Sequence, residues 1–166
     1  MAIFQNKPKE WQRLDWSILQ NGPISLYWKT QVLENDLSWF KEEKYTLVDF
    51  DCSTWVDDNE MHKQLKQNLN FPDYYGENFD ALNDCLSDIE IFDTGQIIIF
   101  RHFDKFDKKL ANILLDVFAT NSRRQILLGN RIIVLIQVDN SNYQIDPVGA
   151  TPVIWNAAEW LIEKRS

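Results

Sequence analysis

The sequence predicts a single α/β domain built on a small parallel β-sheet of three core strands packed with helices, with additional flanking elements. Gln96-Ile97-Ile98-Ile99-Phe100 and Arg131 to Val138 are continuous apolar runs. Both are too short for typical helices and rich in β-branched residues, as strands buried on both faces are. Between them, Phe106, Leu110, Ile113, Leu114, Val117 and Phe118 recur at helical spacing. Strand, helix, strand in that order is the pattern of parallel strands covered by helices.

Each element follows in chain order. Residues 1–44 hold four of the seven tryptophans, Trp11, Trp16, Trp28 and Trp39. Asn21-Gly22-Pro23 signals a turn, Ile24 to Trp28 a short strand, and Leu33, Leu37 and Phe40 the apolar face of a helix over Thr30 to Glu43. So much aromatic surface is expected to pack against the C-terminal piece Val153 to Trp160, with Ile24 to Trp28 adding a strand beside Val153 to Trp155. A free docking arm is the alternative. Tyr45 to Asp51 reads as the first core strand, adjacent to the two apolar runs. Asp57 and Glu60 have capping-box spacing and open a helix with Met61, Leu65 and Leu69 on one face. The Phe106 helix extends toward a stop at Gly129. Beyond the core lie Pro147, Gly149 and Pro152 in a loop, and a short helix over Asn156 to Lys164. The organisation is a Trp-rich N-terminal extension, 1–44, a core, 45–139, and a C-terminal extension, 140–166.

Composition narrows function. With 45% hydrophobic and 25% charged residues over 166 positions, the chain is long enough to bury a full core. A net charge of −8 argues against direct nucleic-acid binding, which needs clustered Lys and Arg. No run approaches membrane-spanning length, and the N-terminus lacks the apolar centre of a signal peptide. Cys52 and Cys85 suit a reducing compartment. The expectation is a soluble cytoplasmic protein, monomeric when free.

That charge is concentrated. Between Lys66 and Arg101 there is no base, yet Asp73, Glu77, Asp80, Asp84, Asp88, Glu90 and Asp93 all fall there. Pro72 and Gly76 mark a loop with Tyr74 and Tyr75 at its tip, and Asn78 is placed to cap a helix. On a helical wheel Asp80, Asp84 and Asp88 share an arc of roughly 80°. Glu77 joins them if the turn before the cap is near-helical. Phe79, Leu82, Cys85, Leu86 and Ile89 lie opposite. Carboxylates four apart repel one another, so helix stability does not account for the stripe. A solvated face is the plain reading; a surface for a basic partner is the functional one.

The run Pro72-Asp73-Tyr74-Tyr75-Gly76-Glu77-Asn78-Phe79-Asp80-Ala81-Leu82-Asn83-Asp84-Cys85-Leu86 closely resembles the signature of the barstar family, intracellular protein inhibitors of secreted bacterial ribonucleases. The resemblance spans Tyr45 to Val138 and implies a three-stranded parallel sheet with helices around it. It implies that Tyr74, Gly76, Asn78, Asp80 and Asp84 lie at the inhibitory face, with Tyr75, Glu77 and Asn83 beside them. Asp84 matches the acid that enters the centre of the enzyme's phosphate site. Two positions depart from the best-known member. Asn83 stands where that member has Trp, and Thr120 where it has Glu.

The residues support binding over catalysis. No His, Lys or oxyanion loop accompanies the carboxylates, His62 and His102 have no ligand-spaced partners, and no Gly-rich phosphate loop or Cys-pair zinc pattern occurs. No metal, cofactor or enzymatic activity is expected. The leading expectation is an immunity-type inhibitor of a basic ribonuclease. The rivals are a regulatory module binding another basic partner and, more remotely, a carboxylate hydrolase.

Overall fold

Alternating strand residues point to opposite sheet faces, and here both sets are apolar. In the computed structural model, which describes residues 3–166, Ile98, Phe100, Ile132, Val134 and Ile136 enter one core, and Ile97, Ile99, Ile133 and Leu135 a second. The sheet is therefore sandwiched. Its strands are β1 (Ile24–Tyr27), β2 (Thr46–Asp51), β3 (Gln96–Arg101), β4 (Ile132–Gln137) and β5 (Ile154–Trp155). The helices are α1 (Pro8–Trp11), α2 (Leu14–Leu19), α3 (Thr30–Glu42), α4 (Asp58–Asn68), α5 (Phe79–Ser87) and α6 (Lys108–Leu127).

The strand order is β2-β3-β4-β1-β5, with every pairing parallel. The three core strands and the flanking ones are those expected; the order corrects the expectation that both apolar runs lie beside the first core strand. β3 separates β2 from β4, and two flanking strands complete a five-stranded sheet. Aspartate or asparagine side chains start three of the helices. Asp57 accepts from the Glu60 amide at 2.9 Å, Asn78 from Ala81 at 2.8 Å and Asp107 from Leu110 at 2.9 Å. Only one arm of the Asp57–Glu60 box forms, because the Glu60 carboxylate takes the Gln64 amide instead.

Helices α4, α5 and α6 cover the first face through Met61, Leu65, Leu82, Leu86, Leu114 and Phe118. The N-terminal extension covers the second, with Leu33, Leu37 and Phe40 of α3 over Ile97, Ile99, Ile133 and Leu135. Among the tryptophans of that extension, Trp39 adds partial cover to this core. Trp11 is 47% exposed and Trp16, Trp28 and Trp39 are only half-buried, whereas Trp55 of the core is buried among Phe50, Phe100 and Phe106. A polar clasp fixes the extension: buried Asp15 accepts from the Tyr45 hydroxyl at 2.5 Å and from Arg13, which also reaches Glu43. Met1 and Ala2, the start of the extension, lie outside the described residues.

β5 pairs with β1 as expected, Ser25 beside Ile154. The tail beyond it is not one helix over Asn156 to Lys164. It forms two 3₁₀ turns, Ala157–Glu159 and Ile162–Arg165, separated by extended Leu161. The first is drawn inward because the buried Glu159 carboxylate accepts the Trp28 and Lys29 amides.

Candidate functional site

The loop Phe71–Asn78 is held from beneath by aromatic rings. Tyr75 is turned into the core, 5% exposed, and its hydroxyl meets Nδ1 of buried His62 at 2.5 Å. Phe71 packs on Tyr75 with ring centroids 5.0 Å apart, and Phe79 lies edge-on to His62 at 5.2 Å. Burial pushes the Tyr75 phenol up and the His62 imidazole down, so the contact joins two uncharged groups at neutral pH. Tyr74, next in line, is 84% exposed. The two tyrosines expected together at the loop tip thus face opposite ways: one is surface and the other anchor. The physical reason is the turn closed by the Tyr75 amide on the Pro72 carbonyl.

Gly76 and Glu77 follow at the surface. Glu77 adopts φ 52°, which corrects the near-helical turn that would have carried it onto the acidic arc. Asn78 then caps α5, and its amide also donates to the Gly76 carbonyl at 3.2 Å. This fixes the loop to the helix start.

Along α5 the apolar side is buried at Leu82 and Leu86 and half-buried at Phe79 and Cys85. The helix ends at Ser87, so Asp88 is its C-cap and Ile89 lies past it. Asp80, Asp84 and Asp88 are exposed. None of the seven carboxylates from Asp73 to Asp93 makes an ion pair among the described residues, whose pairs all involve other acids. Burial first, then the charges of Asp84 and Asp88, pushes the Cys85 thiol up. The stripe is an uncompensated negative surface on a fixed frame.

Asn83 points to the helix behind. Its side-chain oxygen accepts from the Asn121 amide at 2.9 Å, and that amide also donates to the Val117 carbonyl at 2.9 Å. Gln125 reaches the Ser87 carbonyl at 3.4 Å. Two buried amides on α6 therefore pin both halves of α5. Thr120, where the resemblance would place an acid, is exposed. A groove of about 460 Å³ opens beside the stripe, walled by Asp84 and Asp88 and flanked by the exposed rings of Tyr74 and Phe92.

Sequence reasoning took His62 as a structural or surface residue without its partner, and did not single out Asn121 or Gln125. The signal was present: His62 shares the arc of Leu65 on α4, and Asn121 and Gln125 continue the Leu114–Phe118 stripe at helical spacing. Polar residues at core positions mark buried hydrogen bonds. His102 is elsewhere, near the sheet's end, with Nδ1 at 2.9 Å from Asp139. Among the described residues no group of three or more His, Cys, Asp or Glu is arranged to hold a metal ion, and no helix is long and apolar enough to cross a membrane.

Comparison with known proteins agrees with this geometry. A family model described as "Barstar (barnase inhibitor)" matches residues 45–136. "Putative ribonuclease inhibitor YrdF" of Bacillus subtilis (strain 168) is 32% identical over 77 residues, 46% of this chain and 82% of that protein. Among solved structures, a chain of "Structure of Drosophila ORC bound to AT-rich DNA and Cdc6" aligns at 20% identity and TM-score 0.46. It covers 73% of this chain and only 41% of that one, a likeness too loose to bear on fold or function. The family match takes in β2, β3, β4 and the whole acidic loop-helix, and the chain belongs to the barstar family of barnase inhibitors.

Proposed function

We propose that this protein is an immunity-type inhibitor of a basic ribonuclease, acting without catalysis by presenting the loop-helix Pro72 to Asp88 to the enzyme's active site. The observation that carries the reading is the set of exposed, unpaired carboxylates Asp80, Asp84 and Asp88 on a helix fixed at both ends. A ribonuclease cleft must hold RNA phosphates, so it presents Arg and Lys. Carboxylates in a rigid row meet those groups without reorganising, and the complementary fields speed encounter. The standard example of such electrostatic steering is itself a complex of this family, barnase with barstar.

Each site residue has a distinct part. Asp80 and Asp84 point into the cleft, Tyr74 packs at its edge, and Gly76 and Asn78 shape the approach. Tyr75 and Glu77 act through the loop's form, Tyr75 as its buried anchor. Asn83, held by Asn121 of the helix behind, leaves open the space that a large aromatic would otherwise fill, and exposed Thr120 offers no charge. The cognate enzyme therefore differs from the one matched by the family's best-known member.

The test is inhibition and affinity across a panel of basic ribonucleases at two salt concentrations, with the parent protein and Asp84→Ala. The expected result is one tight, salt-sensitive partner that is released orders of magnitude faster from Asp84→Ala. Binding to none of the panel, or equal binding by the variant, overturns the reading.

A further inference from the structure

At the sheet edge opposite β2, away from the acidic helix, lies a cavity of about 220 Å³. This exceeds the roughly 150 Å³ that accommodates a benzene ring in a protein core. Its walls come from α2, β1, α3 and the first C-terminal turn. Ile18, Ile154 and Trp155 supply apolar surface, and Trp160, 55% exposed, lies at the rim.

Ser17, Asn21 and Asn156 add polar side chains to the lining, and its charged group is the Asp36 carboxylate. Its Oδ2 accepts from the buried Tyr27 hydroxyl at 2.5 Å. Its Oδ1 has no hydrogen-bond partner among the described residues, and no Lys or Arg of theirs lies within 4.0 Å of it. The bases nearby in sequence or space are otherwise engaged. The Lys29 ammonium lies over the Trp28 ring at 5.4 Å, and the Arg165 guanidinium over Trp155 at 4.2 Å while donating to the Ser141, Glu159 and Trp160 carbonyls. Glu159 adds a second buried negative charge, already saturated by the Trp28 and Lys29 amides and Asn156. Burial, opposed by the Tyr27 bond and reinforced by Glu159, pushes the Asp36 carboxyl up. Asp36 is half-buried, and a carboxylate partly withdrawn from water gains from a counter-charge. Here none is supplied by the described residues, and there is space for one.

We propose that this cavity binds a small alkylammonium ion, its charged head on Asp36 Oδ1 and its chain against Ile18, Ile154 and Trp155. The head is a free amine or the ammonium of a lysine side chain, which share this chemistry. The rim tryptophan adds attraction for a cation, as aromatic faces do. The site stands apart from the ribonuclease-binding surface and does not depend on that reading.

Calorimetric titration of the full chain tests it. The probes are n-butylammonium, the neutral n-butanol of equal size, and Nα-acetyl-lysine methylamide. Saturable binding of butylammonium, at least about ten-fold tighter than butanol, is expected, the factor that about 1.4 kcal/mol confers. Binding of butylammonium alone assigns a free amine; binding of the lysine derivative as well assigns a side chain. Asp36→Asn keeps an acceptor for Tyr27 and should weaken butylammonium at least ten-fold without lowering the melting temperature. Should that variant fail to fold, Trp160→Ala at the exposed rim serves instead, with a several-fold loss expected. No binding at millimolar concentration, equal binding of butanol, or undiminished binding by the folded variant overturns the proposal.

Discussion

Asp84→Asn should move stability and binding in opposite directions. Asp84 sits four residues from Asp80 and four from Asp88, exposed and without an ion pair. Each like-charge neighbour costs a few tenths of a kcal/mol. An acid in the last turn also opposes the helix dipole, by a similar amount at an exposed site. Asparagine has nearly the same shape and helix propensity, so neutralising the charge should stabilise the free protein by about 0.5–1 kcal/mol. For a chain of this length that is a rise of about 2 °C in melting temperature. In a ribonuclease complex the same change leaves a buried cation unmatched, at about 2–5 kcal/mol. That corresponds to a loss of affinity of about 30- to 5,000-fold, mostly in dissociation. Scanning calorimetry of the free variant and surface-plasmon kinetics of the complex read the two effects separately. A melting temperature that falls, or an off-rate that stays put, would refute the view that the stripe is kept for binding at the expense of the helix.

Three further outcomes are expected. Tyr74→Ala should leave stability within about 0.5 kcal/mol of the parent, while Tyr75→Ala should cost about 3–5 kcal/mol by emptying the aromatic anchor; equal effects in denaturant titration would contradict the opposed orientation of the pair. Because burial holds His62 below its ordinary value of about 6.5, its contribution to stability is full above that pH. It is lost as pH falls through the depressed folded value, and urea titrations from pH 7 to 5 should show this slope shrink in His62→Gln. Leu37→Ala, on the buried face of α3, should cost about 2–5 kcal/mol and keep a single melting transition; a separate low-temperature transition would mean that residues 1–44 fold on their own.

How much of this was legible in the sequence depended on whether the signal was local. The apolar runs of β3 and β4 allow only a doubly covered strand, and Asn78 ahead of an amphipathic stretch marks a helix start. Both were readable. The place of β3 between β2 and β4 was not, because both runs are apolar on both faces and nothing local in either says which strand it borders. The tryptophans misled for a related reason. Their bulk suggested burial, yet Leu33, Leu37 and Phe40 at helical spacing supply the buried cover of the second sheet face, and Trp39 packs there only half-buried. The acidic stripe was visible as charge, but the inward turn of Tyr75 was not. It rests on a histidine thirteen residues earlier that only the folded loop brings near.

The place of β1 in the sheet has a consequence for biosynthesis. Ile24 lies beside Val134, so roughly a hundred residues must be made before the first strand has its neighbour. At about 5–20 residues per second that wait is on the order of 5–20 s. During it, β1 has no strand beside it, and the face that α3 covers lacks Ile133 and Leu135. Such non-local parallel pairing is slow and leaves nascent chains open to aggregation. The same topology makes the sheet close only after β4 and β5 have been made, so truncated products should be cleared by proteases rather than persist as half-built copies carrying an acidic helix.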